Sequence, residues 1–200
     1  MYERLELKAG ETVLELGCGT GLLWQKNARR LPERLHLVLT DRSEGMLEKA
    51  RETLSVFQEL FEAKGICVEY GICDADSLAL EKENYDCIIA NHMLYHVKSR
   101  EACLGEIAHG LKPQGRFLCS TIGDSHMRQL HEIVAAFDAR IEMPFRSITK
   151  GFRLENAMPQ LQPHFRRIER MDQENDLIVD DIDVIYDYIS YYPGNAAYIL

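Results

Sequence analysis

Polar residues that could do chemistry stand at the ends of four apolar runs of this 200-residue sequence. They are Glu15, Asp41, Asp74 and the pair Asn91 and His92. Each run is short and apolar, as strands buried in a parallel sheet are. Because ligands bind outside the carboxyl ends of such strands, these residues predict a rim around one small-molecule ligand.

The first of these runs leads into three closely spaced glycines. Residues 13–21 read Val-Leu-Glu-Leu-Gly-Cys-Gly-Thr-Gly, so Gly17, Gly19 and Gly21 follow the predicted strand. Glycines allow a sharp turn into a helix, and they let the backbone approach a ligand where a Cβ would collide. A carboxylate such as Glu15 beside buried apolar residues is costly unless another group satisfies it. A binding site is therefore predicted at the first strand–helix junction.

The distance along the sequence from the glycine loop to the polar residues at the ends of the next two strands predicts which part of a nucleotide each residue contacts. Asp41 lies 24 residues beyond Gly17, close to the interval at which an acidic residue binds the ribose hydroxyls of a nucleotide. Asp74 and Ala75, at the third strand end, are placed to meet an adenine edge. Met46, or alternatively the stem of Arg42, is expected to cover the face of the ring.

Strand-like runs alternate with helical patterns along the whole chain. This alternation predicts an α/β fold with a doubly wound, mostly parallel sheet and helices on both faces. The predicted strands are residues 12–16, 35–40, 66–70, 86–91, 116–121 and 165–171. The predicted helices are residues 20–31, 44–64 (capped by Ser43), 100–111 (capped by Ser99), 124–140 and 180–191.

Residues 141–163 depart from this alternation and contain three of the six prolines. We interpret them as an insertion over the carboxyl edge of the sheet that forms one wall of an acceptor pocket. The length and the 46% hydrophobic content suit a single domain over residues 1–200.

From about residue 5 to at least residue 191, the chain resembles the class I S-adenosylmethionine-dependent methyltransferases. Five blocks in the order and spacing of that family carry the resemblance: residues 13–21, Asp41, Asp74-Ala75, residues 85–97 and residues 111–117. The resemblance implies a Rossmann-like fold and S-adenosylmethionine as the cofactor. The family's usual N-terminal helix and its seventh, antiparallel strand have no counterpart, so we expect a fragment with an incomplete lid.

The resemblance also implies a role for each matching position. The loop of Gly17, Cys18, Gly19 and Gly21 would cradle the methionine moiety of the cofactor, and Glu15 would help to hold its ammonium group. Asp41 would bind the ribose, and Asp74-Ala75 the adenine. The residues that would border the site of methyl transfer are Asn91 and His92.

Methyl transfer from a sulfonium is an in-line displacement, so a base is needed only when the nucleophile arrives protonated. The candidate catalytic residues His92, Tyr95 and His96 follow the fourth predicted strand, near the expected position of the methyl group. A histidine, with its near-neutral pKa, could take a proton. Alternatively, His96 fixes a helix start through its backbone, and Tyr95 only walls the pocket.

The composition of the chain limits the classes of methyl acceptor and the cellular compartment that we expect. The net charge of −9 argues against binding a phosphate backbone, and the Asn/Asp-Pro-Pro-aromatic motif of nucleic-acid amino-methyltransferases is missing after strand four. A small-molecule acceptor is favoured over nucleic acid. With no apolar run long enough to span a membrane and no signal-peptide core, we expect a cytoplasmic protein without a membrane partner. The six cysteines form no Cys-x-x-Cys pair, so we expect no metal site and no disulfide framework.

Two other functions stay open at this point. A nicotinamide-dependent oxidoreductase also has an acidic ribose ligand, but its Gly-x-Gly-x-x-Gly fingerprint would need glycine where Leu22 stands. A methyltransferase-like module could also bind the cofactor without turnover.

Overall fold

In this computed structural model, the described residues form a sheet of five strands, which are all parallel. The structure describes residues 2–138, 140–141, 148–173 and 177–191. The strands are β1 (Thr12–Leu16), β2 (His36–Asp41), β3 (Cys67–Ile72), β4 (Tyr85–Asn91) and β5 (Leu111–Ser120). Their order across the sheet is β3-β2-β1-β4-β5.

This order reverses direction between β1 and β4. The chain moves outward from β1 through β2 to β3, then crosses back to pair β4 with the other side of β1. The reversal opens a crevice beyond the carboxyl ends of β1 and β4, where ligands bind in open parallel sheets. The ends of β1, β2 and β4 carry Glu15, Asp41 and Asn91, so three of the predicted polar ends surround this crevice.

Helices cover both faces of the sheet. The helices of the described residues are α1 (Leu22–Asn27), α2 (Glu44–Ser55), α3 (Gln58–Lys64), α4 (Arg100–Gly110), α5 (Arg128–Phe137), α6 (Ala157–Leu161) and α7 (Ile182–Ser190). Alternate residues of β1 enter different cores: Val13 packs with Trp24 of α1, whereas Leu14 packs with Leu104 of α4. The doubly wound α/β fold predicted from the sequence is confirmed.

The start of α2 follows its sequence signal, but the helix ends earlier than predicted. The hydroxyl of Ser43 accepts a hydrogen bond of 3.3 Å from the backbone N–H of Met46, which caps the helix. The predicted single helix is divided between Ser55 and Gln58, and its second part ends at Gly65 in the left-handed conformation (φ 63°). Phe57 directly precedes α3 and Phe61 lies within it, and their rings stack with centroids 6.1 Å apart.

The strand predicted at residues 165–171 was wrong. These residues are irregular, and β5 is an edge of the sheet. Instead of lying beside β5, Phe165 stacks its ring on that of Phe117, with centroids 5.2 Å apart, so the chain crosses a face of the sheet. The alternation of apolar residues reflects this packing and not a ladder of backbone hydrogen bonds.

Several other helices and strands begin or end at residues that differ from the predicted ones. The first predicted helix is divided into α1 and a 3₁₀ turn at Ala28–Arg30, and the helix predicted at residues 124–140 is shortened to α5. In β5 the register jumps from Tyr85↔Leu111 to Cys87↔Arg116, so the predicted turn at residues 112–115 bulges out of a longer strand. Asp181 accepts a hydrogen bond from the N–H of Asp183 and caps α7.

Candidate functional site

The glycine loop after β1 is a tight bend with left-handed backbone at three positions. The φ angles are 71° at Gly17, 54° at Gly19 and 74° at Gly21. The N–H of Cys18 donates to the carbonyl of Thr40 at 2.8 Å, which ties the bend to the end of β2. Residues with a Cβ rarely adopt this conformation, so the loop geometry depends on glycine.

The three glycines meet different surroundings. A Cβ at Gly17 would lie 3.1 Å from Cβ of Met93, and one at Gly21 would lie 3.4 Å from Cβ of Ala50. Both positions serve close packing of the loop against its neighbours. A Cβ at Gly19 would meet no atom within 4 Å, so nothing in the described part of the chain fills the space above this residue. Gly19 therefore presents bare backbone to open space, as a ligand cradle requires.

Glu15 is a buried acid at the base of this loop, with only 2% of its surface exposed. Its carboxylate accepts a hydrogen bond of 2.6 Å from Nε1 of Trp24 and one of 3.4 Å from Nδ2 of Asn91. Burial raises the pKa of Glu15 to about 7, against the two hydrogen bonds, and the nearby charge of Asp41 adds to the rise. The group therefore changes its charge near neutral pH.

Asp41 joins the glycine loop to the start of α2. One carboxylate oxygen accepts from the N–H of Gly19 at 3.0 Å, and the other accepts from the N–H of Ser43 at 2.9 Å. Each oxygen keeps further lone pairs for a donor. The carboxylate therefore borders the open space over Gly19, at the place where sequence spacing predicted a ribose ligand.

Asn91 links β4 to β1 and to β5. Its side-chain amide donates to Glu15, and its carbonyl oxygen accepts from the hydroxyl of Ser120 at 3.2 Å. Trp24 and Ser120 thus orient two of the predicted site residues, and the sequence analysis did not find these roles. Trp24 lies in α1 with its side chain fully buried, and only the fold brings its indole N–H to Glu15.

His92 projects from the end of β4 with a left-handed backbone, at φ 49°. Its N–H donates to the carbonyl of Ser120 at 3.1 Å. The imidazole is exposed at the rim, yet the surrounding protein removes enough water to lower the pKa of His92, and the neighbouring His126 lowers it further. His92 is therefore mainly neutral at pH 7, as a proton acceptor must be.

Tyr95 and His96 lie in a 3₁₀ turn, Leu94–His96, that follows His92. Their rings are 4.6 Å apart, and burial raises the pKa of the half-buried Tyr95. The N–H of the exposed His96 donates to the carbonyl of Met93. This contact closes the 3₁₀ turn, whereas the next helix, α4, begins later, at Arg100.

The remaining predicted residues divide into accessible and inaccessible groups. Arg42 and Met46 are exposed beside Asp41, and Asp74 is exposed at the end of β3, where it accepts from the N–H of Asp76 at 3.0 Å. Ala75 is buried in the apolar core, so only its backbone is available to a ligand. Burial raises the pKa of the Cys18 thiol to about 12, which makes it unreactive.

A surface depression of about 570 Å³ lies at the opposite, amino-terminal edge of the sheet. Four of its charged residues are paired: Arg116 with Glu11 at 2.7 Å, and Lys112 with Asp86 at 2.7 Å. The first pair fastens the N-terminal segment to β5, and the second joins β4 to β5. The depression is therefore a structural junction and not a competitor to the crevice.

A family model described as "Methyltransferase domain" matches residues 7–190, which is most of the chain. The chain belongs to the class I S-adenosylmethionine-dependent methyltransferases. This methyltransferase domain is 35% identical, over 112 residues, to the ubiquinone/menaquinone biosynthesis C-methyltransferase UbiE of Escherichia fergusonii. That match covers 56% of this chain and 43% of the relative.

Two other likenesses agree with this membership. The malonyl-[acyl-carrier protein] O-methyltransferase of Methylovorus sp. is 31% identical over 133 residues, which cover 65% of this methyltransferase domain and 44% of that protein. The match therefore spans less than half the length of either curated relative. The crystal structure of YcgJ from Bacillus subtilis superposes with a TM-score of 0.68 at 19% identity and covers 100% of this chain and 79% of that one, which shows the shared fold.

Proposed function

We propose that this methyltransferase domain binds S-adenosylmethionine in the crevice and transfers its methyl group to a small-molecule acceptor. One observation carries the proposal: the carboxylate of Asp41 contacts a glycine bend with open space above Gly19, and Glu15 and Asn91 are hydrogen-bonded to each other at the neighbouring strand ends. Carboxylates suit a ligand with an ammonium group and two ribose hydroxyls.

We assign the cofactor contacts to the residues predicted from the sequence. Glu15 takes the ammonium group, and the loop of Gly17, Cys18, Gly19 and Gly21 holds the methionine moiety through its backbone. Asp41 accepts from the ribose hydroxyls. The residues assigned to the adenine are Arg42, Met46, Asp74 and Ala75. Open space over Gly19 and lone pairs left on Asp41 support this assignment.

The bound cofactor supplies an electrophilic methyl group. The protein aligns the acceptor behind it, and positioning of this kind can supply roughly 7–11 kcal/mol of the barrier. Where the acceptor carries a proton, His92 is the candidate to take it, because its lowered pKa leaves the imidazole neutral. We assign Tyr95 and His96 to the wall of the same pocket.

The acceptor side of the pocket is proposed to include the segment 148–163, the described end of the predicted insertion; residues 142–147 lie outside the described residues. Phe152 is fully buried, its carbonyl accepts from the hydroxyl of Thr121 at 2.7 Å, and the N–H of Leu154 donates to the carbonyl of Ile122. These contacts attach the segment to the chain just beyond β5, which supports a place at the acceptor edge.

We infer the class of methyl acceptor from the net charge of the chain and from its curated relatives. We infer the cellular compartment from the state of its cysteines. The net charge of −9 disfavours nucleic acid, and the two curated relatives are named for methylation of small or carrier-bound molecules. All six cysteines lie in the described residues and none forms a disulfide, which supports a reducing, cytoplasmic compartment. Within the described residues, every helix is too short or too polar to cross a bilayer.

Isothermal titration of the full chain with S-adenosylmethionine, and in parallel with NAD, tests the proposal. We expect saturable binding of S-adenosylmethionine at one per chain and none of NAD. The reverse preference would support an oxidoreductase. A methyl-transfer assay with candidate acceptors then separates an enzyme from a module that binds the cofactor without turnover.

A further inference from the structure

Three metal-ligating residue types meet at the amino-terminal end of β2 and β3, away from the crevice. His36 begins β2 and Cys67 begins β3, and the two are direct partners in the register of the sheet. Glu69 lies two residues further along β3. Because side chains alternate across a strand, all three side chains stand on the same face.

The three ligand atoms are close enough to share one ion. Nε2 of His36, Sγ of Cys67 and a carboxylate oxygen of Glu69 all lie within 4.8 Å of one another. Nε2 of His36 is 2.9 Å from Oε1 of Glu69, but it makes no hydrogen bond of acceptable geometry within the described part of the chain. An ion pair between His36 and Glu69 accounts for two of the three groups and leaves the thiol without a role.

We propose that His36, Cys67 and Glu69 bind a zinc ion. Thiolate sulfur, imidazole nitrogen and carboxylate oxygen are the three ligand types of protein zinc sites, and a thiolate disfavours magnesium and calcium. Tetrahedral zinc places its ligand atoms roughly 3.3–3.6 Å apart. Cys67 and Glu69 are exposed and reach this spacing by side-chain rotation.

Zinc bound by these three residues keeps one coordination position open to solvent. Cys67 binds as the thiolate and releases its proton to solvent, and water takes the fourth position. The ion links the edge strand β3 to β2, roughly 17 Å along β2 from Asp41 at the cofactor crevice. The proposal is thus independent of methyl transfer.

Metal binding to the full chain, first stripped with a chelator, tests this site. Zinc affinity is measured by competition with a chromogenic chelator, and cobalt(II) is added in a second titration to detect thiolate-to-cobalt absorption in the near ultraviolet. The variants are Cys67→Ser, His36→Ala and Glu69→Gln, with Cys73→Ser as the matched cysteine control. Circular dichroism without metal checks that each variant folds. Glu69→Gln keeps the size of the side chain, so its zinc affinity still tests the site if His36→Ala does not fold.

We expect one zinc ion per chain and a thiolate–cobalt band that is lost in Cys67→Ser and kept in Cys73→Ser. Zinc affinity should fall at least about tenfold in His36→Ala and Glu69→Gln. The proposal is overturned if zinc does not saturate at one per chain, or if the band survives in Cys67→Ser. Unchanged zinc affinity in Glu69→Gln would also overturn it, since Glu69 would then not be a ligand.

Discussion

At the scale of single residues, the site depends on two carboxylates in different environments. Glu15 is enclosed and held by Trp24 and Asn91, whereas Asp41 receives two backbone N–H groups at the rim. Burial favours the neutral form of Glu15. The two acids are therefore suited to different tasks, one responding to pH and the other accepting hydrogen bonds.

Asp41→Ala should weaken binding of S-adenosylmethionine by about 1–3 kcal/mol, because charge-assisted hydrogen bonds to the ribose are lost. Isothermal titration measures the change. Asp172→Ala is the control, because Asp172 is an exposed carboxylate that pairs with Arg170 and has no assigned contact with the cofactor. Equal affinities of Asp41→Ala and the wild type would remove Asp41 from the cofactor site.

Glu15 should make the protein less stable as the pH rises toward neutrality. Its folded pKa of about 7 lies above the ordinary 4.5, so the folded state holds the proton more tightly. The stability from this proton is fully present below pH 4.5 and is lost as the pH rises to about 7, a total of about 3 kcal/mol.

Urea unfolding at pH 5 and pH 8 measures this effect in the wild type and in Glu15→Gln. The amide keeps an oxygen that accepts from Trp24 but does not titrate. We expect Glu15→Gln to gain stability relative to the wild type between pH 5 and pH 8. An unchanged difference between the two proteins would show that Glu15 titrates as an ordinary acid.

At the scale of elements, the loop between β1 and α1 is proposed to hold the cofactor at Gly19. A comparison with Gly10, which lies before β1, distinguishes the effect of backbone strain from the effect of blocking the ligand. Gly19 and Gly10 both have left-handed backbones, at φ 54° and 82°, and a Cβ at either would meet no atom within 4 Å. Alanine at either position should destabilise the fold by about 1–2 kcal/mol. Gly19→Ala alone should also lose cofactor affinity, because its methyl group enters the crevice.

Thermal melting and titration with S-adenosylmethionine compare the two variants. Gly10 lies in the segment before β1, so Gly10→Ala controls for strain alone. If Gly19→Ala binds the cofactor as well as Gly10→Ala does, the space over Gly19 is not the cofactor site.

Elements whose signals are local were predictable from the sequence. β1 occupies Thr12–Leu16 as predicted, and Ser43 caps α2, because apolar runs and capping side chains act within a few residues. The strand predicted at residues 165–171 was wrong because the ring of Phe165 has a partner in Phe117, 48 residues earlier in the chain. Such packing overrides local alternation.

Contacts between residues that are far apart in the sequence also could not be predicted at the cofactor site and at the proposed zinc site. The polar rim was visible because each rim residue stands at the end of its own strand. The support of Glu15 by Trp24 and the meeting of His36 with Cys67 were not visible, since helix packing and strand pairing create them. The cysteine spacings predict no metal site, whereas the proposed zinc site joins His36 and Cys67, which are 31 positions apart in the chain.

At the scale of the whole molecule, the second core joins the sheet to the proposed acceptor wall. Phe152 is fully buried in the cluster that contains Leu16, Ala90 and Leu104. Phe152→Ala should lower the free energy of unfolding by about 3–5 kcal/mol. Urea unfolding measures this loss, and Phe137→Ala, at a ring that is 71% exposed, is the control with little expected effect. Similar losses in both variants would show that Phe152 does not anchor the segment 148–163.

A crystal structure with S-adenosylhomocysteine tests the central claim most directly, because it shows whether one ligand joins the strand ends. We predict ligand density over Gly19, with the amino group at Glu15 and the ribose hydroxyls at Asp41. Density elsewhere, with Glu15 and Asp41 contacting no common ligand, would contradict the proposed cofactor site.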